Sequence, residues 1–372
     1  MKTETLAGRA GWAGGAGKAG KVGKAGWAVR SGWPGWIPLL LCVVAALVAV
    51  PRAQTKPPRF EFDPSFPQLP AGKTFGDVSS VTTDGANHIW VIHRPRTVTG
   101  DRTNVLPPVV EFDESGKFVN AWGGPGAGFE WPEREHGIFV DASGDVWVSG
   151  NNGYVGPGAA PAPGKSDDMV LKFTRTGKFL AQFGHAGASK GDADNDNVKQ
   201  AADMQVFKGE LFVADGYGNH RVAVLDAKTG KFKRAWQSNG GTPFEIVHAI
   251  EVSNDGLVYV ADRQHQRLQV FTTAGAFKQE AKVGGENGQM SGAAGLAFSP
   301  DRAQQYLYVG DLGNNQINIL DRQSLKILGK FGKAGTAPGE FNILHEIAAD
   351  SKGNLYSAET RSRRVQRFLA KP

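Results

Sequence analysis

Short blocks of apolar residues, separated by turn-forming residues, run through the chain from about residue 60 to its end. The stretch from His248 to Phe271 shows the pattern clearly. Two apolar segments are joined at Asn254-Asp255-Gly256, and a second turn at residues 263–266 leads into a third apolar segment. Apolar blocks of this length, bounded by turn formers, are typical of antiparallel strands. The pattern predicts an all-β chain.

The same stretch recurs along the chain, in some copies with the leading histidine and in others without it. Aligned at the centre of the first strand, the copies fall 57, 67, 45, 46 and 51 residues apart, at Val81, Ile138, Gln205, Ile250, Leu296 and Ile347. Periods near ~40–50 residues with about four strands per unit indicate propeller blades. We therefore expect a six-bladed β-propeller over residues 54–372.

The two ends of the repeat region complement one another. Six first strands are present but only five fourth strands, because the last repeat stops soon after Phe368. The segment Arg59 to Ser65 precedes the first repeat and can supply the missing outer strand. Such pairing would close the ring with an N-terminal strand and remove free sheet edges.

The N-terminal region differs in composition from the repeats. Residues 1–35 form a low-complexity basic segment, and residues 36–53 form an apolar one. The uncharged block Trp36 to Val50 follows six basic residues, which is the layout of an export signal. At 15 residues it is short for a membrane span of ~20. We expect an exported protein (periplasmic, secreted or membrane-anchored), and leave open whether the leader is cleaved or anchors the chain through residues 36–50.

The formal net charge of +6 is confined to this N-terminal region. Residues 1–53 hold seven of the 42 basic and one of the 36 acidic side chains, which leaves 35 of each for the repeats. A neutral repeat region lacks the electrostatic footprint of a nucleic-acid-binding protein, so we expect no nucleic-acid partner. The single cysteine, Cys42, lies in the apolar segment, so any metal in the repeats must have His, Asp, Glu or carbonyl ligands.

The long second repeat contains an acidic stretch. Asp192, Asp194, Asp196 and Asp203 have the spacing of a calcium loop, but the glycine of the sharp turn is replaced by Asn197. We interpret these residues as a solvated acidic loop.

The first strand of a propeller blade is innermost, so its first residue lies near the axis at one mouth of the central channel. Histidine occupies this position in blades two, four and six, and small residues occupy it in the others: Ser79, His136, about Ala202, His248, Ala294 and His345. Alternate blades are related by about a third of a turn, so the three imidazoles should converge. Three imidazoles with a fourth position open describe a catalytic zinc site. Any one histidine could instead be a turn or core residue, but three of eight at equivalent positions are harder to assign to chance.

The second strand of each blade ends at the same mouth. Arg94, Tyr217 and Arg263 lie there, and we expect them to surround the metal. Arginine binds carboxylates in a bidentate manner, and a phenol beside a cation can act as a base. The alternative is that these residues only cap blade surfaces, as we predict for Arg221, Arg267 and Arg364.

Five motifs resemble those of a known family: HGIFVD, DGYGNHRV, VHAIEVS, ADRQHQRLQVF and LHEIAAD. From about Phe60 to Phe368 the chain is similar to the NHL-repeat six-bladed propeller of peptidyl-α-hydroxyglycine α-amidating lyase. The resemblance implies that the catalytic zinc is bound by His136, His248 and His345. It also implies that Tyr217, Arg94 and Arg263 match the tyrosine and the two arginines of the family's active site.

The resemblance further implies a structural calcium in the channel. Its ligands would be the backbone carbonyls of Val81 and Ile138 and the carboxylate of Glu346, where glutamate replaces the family's usual aspartate. A second departure is Gly218, which stands where animal members have a cysteine.

Our leading hypothesis is a metal-dependent carbon–nitrogen lyase. It would cleave the C–N bond of a peptidyl-α-hydroxyglycine-like carbinolamide, a small-molecule or peptide substrate with a free carboxylate, to an amide and glyoxylate. Tyr217 would take the hydroxyl proton, while Arg94 and Arg263 would orient the carboxylate. One alternative is a non-catalytic NHL-repeat propeller that binds a protein or glycan, which gives no reason for the alternating histidines. Another is a metal-dependent lactonase or related hydrolase, which would need acidic and amide ligands at the blade starts.

Overall fold

The computed structural model describes residues 56–153, 164–239, 241–285 and 292–371. These residues form six four-stranded antiparallel sheets, and the innermost strands contact one another in a ring in which the sixth sheet meets the first. The predicted all-β, six-bladed propeller is confirmed. The segments 1–35 and 36–53, with the predicted leader, lie outside the described residues. Within the described part of the chain, no helix has the length and apolarity needed to cross a membrane.

The strands follow the blades in chain order, after β1 (Arg59–Asp63). Blade 1 contains β2 (Asp77–Thr83), β3 (Ile89–Arg94), β4 (Val109–Phe112) and β5 (Phe118–Trp122), with a 3-10 helix at Pro95–Thr97. Blade 2 contains β6 (Glu135–Val140), β7 (Val146–Gly150), β8 (Met169–Phe173) and β9 (Phe179–Gly184). Blade 3 contains β10 (Asp203–Phe207), β11 (Glu210–Asp215), β12 (Arg221–Asp226) and β13 (Phe232–Trp236).

The remaining blades continue the same order. Blade 4 contains β14 (Val247–Val252), β15 (Leu257–Asp262), β16 (Arg267–Thr272) and β17 (Phe277–Lys282). Blade 5 contains β18 (Ala293–Phe298), β19 (Tyr306–Asp311), β20 (Gln316–Asp321) and β21 (Ile327–Phe331). Blade 6 contains β22 (Leu344–Ala349), β23 (Leu355–Glu359) and β24 (Arg364–Lys371).

Blade 6 combines strands from both ends of the repeat region. Its outermost strand is β1, which pairs antiparallel with β24 from Arg59 opposite Lys371 to Asp63 opposite Arg367. The Arg367 guanidinium donates from Nε to Asp63 Oδ2 at 2.6 Å, so an ion pair reinforces the backbone pairing.

The turn between the first and second strands explains why aspartate recurs in the repeats. In blade 1 the carboxylate of Asp84 accepts the backbone N–H groups of Ala86 and His88 and the Nε1–H of Trp90. Asp141 accepts the corresponding bond from Trp147 in blade 2 at 2.9 Å. Each carboxylate therefore closes its own turn and fixes a buried aromatic ring of the next strand.

The core is divided among the blade interfaces. The buried apolar side chains form six clusters, and each cluster joins two neighbouring blades. The cluster between blades 6 and 1, for example, packs Tyr356 and Val365 against Val81 and Phe112. Burial of apolar surface between the sheets therefore holds the innermost strands at fixed positions around the channel.

Candidate metal centre

Five of the six innermost strands carry a β-bulge at the axial position. In β14 the pairing with β15 passes from Val247 to Ala249, so that His248 is left without a partner across the sheet. The residues skipped or shifted in the other bulged strands are Ser79, His136, Ala294 and His345. A bulge turns the extra residue out of the regular alternation and re-aims its side chain. The bulges thus explain how histidines of sheet strands can point to the axis.

The three histidines meet at one point. His136, His248 and His345 are buried, and their candidate ligand atoms all lie within 4.8 Å of one another. The ring centroids are 5.2 Å apart for His136 and His248, 4.8 Å for His136 and His345, and 4.7 Å for His248 and His345. The convergence expected from the repeats is present.

A backbone carbonyl fixes the tautomer of each ring. Nδ1 of His136 donates to Ala202 O at 2.7 Å, Nδ1 of His248 to Ala294 O at 2.9 Å, and Nδ1 of His345 to Ser79 O at 2.6 Å. Because a carbonyl oxygen can only accept, Nδ1 carries the proton in all three rings. Each histidine therefore bonds to the small axial residue of the next blade around the ring.

The donor set fits a metal ion. With Nδ1 protonated, every Nε2 presents a lone pair, and Nε2 of His248 is buried without a hydrogen-bond partner among the described residues. Burial lowers the pKa of all three histidines well below the ordinary value, assisted by the neighbouring cationic side chains, so the rings stay neutral. Lone pairs that converge in this way repel one another unless a cation binds between them. Carbonyl-anchored imidazoles are also the common arrangement around a bound metal.

Tyr217 and Arg263 lie beside the histidines, as expected from the sequence. The Tyr217 hydroxyl is 2.9 Å from Nε2 of His136 and 2.9 Å from Nη1 of Arg263. Since Nε2 of His136 has no proton, the hydroxyl donates to it and accepts from the guanidinium. The guanidinium also lies 5.3 Å from the centroid of the Tyr217 ring. The phenol oxygen is therefore held between a candidate metal ligand and a cation.

Arg94 is the third residue that the sequence predicted beside the histidines. Its Nε donates to the carbonyl of Glu135 at 2.8 Å, while Nη2 is buried and has no partner among the described residues. Burial and the nearby charge of Arg134 lower the pKa of Arg94 to about 10, so it remains a cation at neutral pH. The guanidinium keeps hydrogen-bonding capacity for an anionic ligand.

The three arginines predicted to cap blade surfaces do so. Arg221, Arg267 and Arg364 begin the third strands of their blades, and each donates from Nε to the carboxylate that ends the second strand, at 2.7, 2.9 and 2.8 Å. Their guanidinium groups pair with carboxylates of their own blades, whereas Nη2 of Arg94 has no partner among the described residues.

The other end of the channel holds a second polar cluster. A cavity of about 220 Å³ is lined by Val81, Ile138 and Glu346, the candidate calcium ligands, together with Asp203 and Glu251. Burial raises the pKa of Asp203 to about 7. Burial and the nearby Asp203 raise that of Glu251 to about 8. The pKa of Glu346 is also raised, chiefly by burial.

The interpretation of a solvated acidic loop was wrong for two of its residues. Asp203 begins the innermost strand β10 and faces the channel. Asp194 is buried, and its Oδ1 and Oδ2 accept backbone N–H groups of Asp196 and Lys190 at 2.8 and 2.9 Å. Asp203 directly follows the axial Ala202, so its place in the repeat was a signal that it lies on an inner strand.

No family model matches the chain. Curated relatives include NHL repeat-containing protein 3 of Homo sapiens, 24% identical over 322 residues that cover 82% of this chain and 82% of that protein. The "probable peptidyl-alpha-hydroxyglycine alpha-amidating lyase" of Caenorhabditis elegans is 24% identical over 314 residues, 79% of this chain and 82% of that protein. The crystal structure of virginiamycin B lyase from Staphylococcus aureus superposes with a TM-score of 0.51 at 14% identity over 84% of this chain and 89% of that one, which supports the fold alone.

These relatives confirm the resemblance that the repeat motifs indicated. Because they include both an amidating lyase and an NHL repeat-containing protein, the chain is consistent with an NHL-repeat, lyase-like family.

Proposed function

We propose that the protein is a zinc-dependent lyase that cleaves a peptidyl-α-hydroxyglycine-like carbinolamide, R–CO–NH–CH(OH)–COO⁻, to an amide and glyoxylate. The observation that carries the proposal is the set of three buried imidazoles, each locked by a carbonyl with its Nε2 lone pair toward the axis, beside a phenol and two guanidinium groups. Relatives named as lyases support the reaction class.

His136, His248 and His345 would hold the zinc ion. When bound, zinc supplies Lewis-acid chemistry toward the hydroxyl of the substrate. The three histidines contribute by staying neutral, which their burial favours, and by their orientation, which the Nδ1–H bonds to carbonyl groups fix.

Tyr217 is placed to take the hydroxyl proton. Its oxygen receives a hydrogen bond from Arg263 at 2.9 Å, and that cation stabilises negative charge on the phenolate. After proton removal, the C–O bond becomes the carbonyl of glyoxylate as the C–N bond breaks. The electron pair of that bond stays on the amide nitrogen, which takes up a proton.

Arg94 would bind the substrate carboxylate. Its buried Nη2, which has no partner among the described residues, can donate to a carboxylate oxygen, and Arg263 would act as a second cation. Charge-assisted hydrogen bonds of this kind orient the substrate and select for a free carboxylate.

We also propose a structural calcium at the opposite end of the channel. Glu346 and the carbonyls of Val81 and Ile138 are the ligands implied by the resemblance, and Asp203 and Glu251 line the same cavity. Oxygen donors suit calcium, and burial together with the proximity of Asp203 to Glu251 raises the pKa values of these carboxyl groups, so a bound cation would be favourable here. Raised thermal stability on adding calcium, lost in Glu346→Gln, would support this site.

Glyoxylate release from α-hydroxyhippurate by the full-length protein tests the reaction. We expect stoichiometric glyoxylate and benzamide, with activity lost on zinc removal and restored on zinc addition. A protein that binds zinc but releases no glyoxylate would refute the lyase proposal and favour the non-catalytic propeller.

A further inference from the structure

A second cavity opens beside Arg94. It measures about 310 Å³ and its wall is mainly apolar, formed by Pro95, Val105, Leu106, Pro107, Pro108 and Pro125. Four of these six residues are prolines, whose rings fix the backbone and leave few N–H groups to solvate. The wall is therefore rigid and presents carbon atoms to whatever occupies the cavity.

This cavity lies at the same end of the propeller as the three histidines. Strand β3 ends at Arg94 and β4 begins at Val109, so the loop 95–108 connects them at that end. Strand β5 ends at Trp122 and β6 begins at Glu135, so the segment 123–134 runs along the same end. These two connections supply nearly the whole wall.

Residues that line the cavity are adjacent in sequence to residues of the metal centre. Arg94 and His136 belong to the centre, while Pro95 and Glu135, the adjacent residues, line the cavity. Consecutive Cα atoms are ~3.8 Å apart. The cavity is thus adjacent to the arginine that we propose to bind the substrate carboxylate.

Glu135 gives the cavity a polar floor. Its side chain is 1% exposed; Oε1 accepts the indole N–H of Trp131 at 2.8 Å, but Oε2 has no partner among the described residues. The carboxyl group is closed off from solvent and burial raises its pKa, so it supports the base of the cavity and is not a contact for a ligand.

The cationic side chain that lines the cavity is already paired. The Arg96 guanidinium is bound to Glu133, donates to the carbonyl of Pro132 at 2.7 Å and lies 3.7 Å from Oε1 of Glu135. Because the rest of the wall is mainly apolar, the cavity disfavours an acidic occupant.

We propose that this cavity is a specificity subsite that binds the apolar residue preceding the hydroxyglycine. The proposal rests on the lyase function proposed above. It narrows the substrate class to peptides whose penultimate side chain is apolar, such as leucine.

The test compares glyoxylate release by the full-length protein from N-acetyl-leucyl-α-hydroxyglycine and N-acetyl-aspartyl-α-hydroxyglycine. We expect kcat/KM to favour the leucyl substrate by roughly tenfold or more. Val105→Phe narrows the cavity and should bring the ratio close to one. Val119→Phe, an exposed valine on the outer strand β5 of the same blade, is the matched control and should preserve the ratio. Thermal melting of each variant verifies folding.

The outcomes separate the two proposals. Glyoxylate release at equal kcat/KM from both substrates would overturn the subsite and leave the lyase function intact. A preference for leucine that Val105→Phe does not reduce would also overturn it, because the cavity would not be its source. No glyoxylate from either substrate, with zinc bound, would overturn the lyase function and the subsite together.

Discussion

The hydroxyl of Tyr217 donates a hydrogen bond to Nε2 of His136 at 2.9 Å, the same lone pair that would bind a metal ion. The two uses of this lone pair exclude one another. A metal ion bound by His136 would therefore release the phenol from this histidine, while the hydrogen bond from Arg263 could remain. This exchange would convert a structural hydroxyl into a group available to the substrate.

Tyr217→Phe should separate metal binding from proton transfer. Removing a positioned acid–base group typically costs about 10²–10⁴-fold in rate, and we expect kcat to fall within that range. The zinc content should be unchanged, because the phenol is not needed as a ligand. Kinetics and metal analysis on the same sample check both expectations. Tyr306→Phe, in blade 5, is the control and should keep full activity; zinc loss in Tyr217→Phe would contradict the assigned role.

Gly137→Ala tests the carbonyl groups that hold the histidines. A Cβ at this position would lie 2.5 Å from the carbonyl oxygen of Ala202, which accepts the hydrogen bond from His136. The carbonyl must shift, so the His136 ring loses its orientation, and we expect zinc affinity to fall by about 10–100-fold. Competition with a metal chelator measures the affinity.

The matched control for this variant is Gly85→Ala, since a Cβ at Gly85 would meet nothing within 4 Å. Equal zinc affinities of Gly137→Ala and the wild type would show that the carbonyl contact is not needed.

Arg94→Lys tests carboxylate recognition. Lysine keeps the charge but loses the planar fork and the Nε donor that bonds to Glu135. We expect KM to rise by roughly tenfold or more, with a smaller effect on kcat, in steady-state kinetics with α-hydroxyhippurate. Arg302→Lys, an exposed substitution in blade 5, should change neither constant. A lower kcat at constant KM would instead place Arg94 in the chemical step.

The channel carboxylates predict how stability depends on pH in the calcium-free protein. The folded pKa of Asp203 is raised from 3.8 to about 7 and that of Glu251 from 4.5 to about 8. Between these values the folded state retains protons that the unfolded state has released. The free energy of unfolding should therefore fall as pH rises from about 4 to about 8.

Thermal melting across this pH range, with and without calcium, measures the effect. Calcium should remove most of the decline by neutralising the carboxylates, and Glu251→Gln should flatten the calcium-free profile. Glu61→Gln, on the exposed face of β1, is the control. A melting temperature that is independent of pH without calcium would contradict the raised pKa values of Asp203 and Glu251.

The sequence predicted the parts of the site that repeat. His136, His248 and His345 could be found because each lies near the start of an equivalent strand. Arg94, Tyr217 and Arg263 could be found because each lies at or just after the end of the second strand of its blade. Strand periodicity and repeat length were sufficient for the propeller, since both follow directly from the order of apolar and turn-forming residues.

Other features were not predictable in this way. The carbonyl of Ala202 acts through a backbone atom that every residue possesses, so no residue type marks it. The bulge at His248 depends on the pairing of two strands rather than on either strand alone. Asp203 was assigned to a loop because its spacing from other aspartates outweighed its position one residue after the axial alanine.

Zinc analysis of the full-length protein and of His248→Ala tests the central claim most directly. Nε2 of His248 is buried and has no hydrogen-bond partner among the described residues, so its lone pair is available to a metal ion. We expect one zinc ion per chain in the wild type and in His185→Ala, an exposed histidine, and well under half an ion per chain in His248→Ala. Substoichiometric zinc in the wild type, or an undiminished zinc content in a folded His248→Ala variant, would contradict the three-histidine centre.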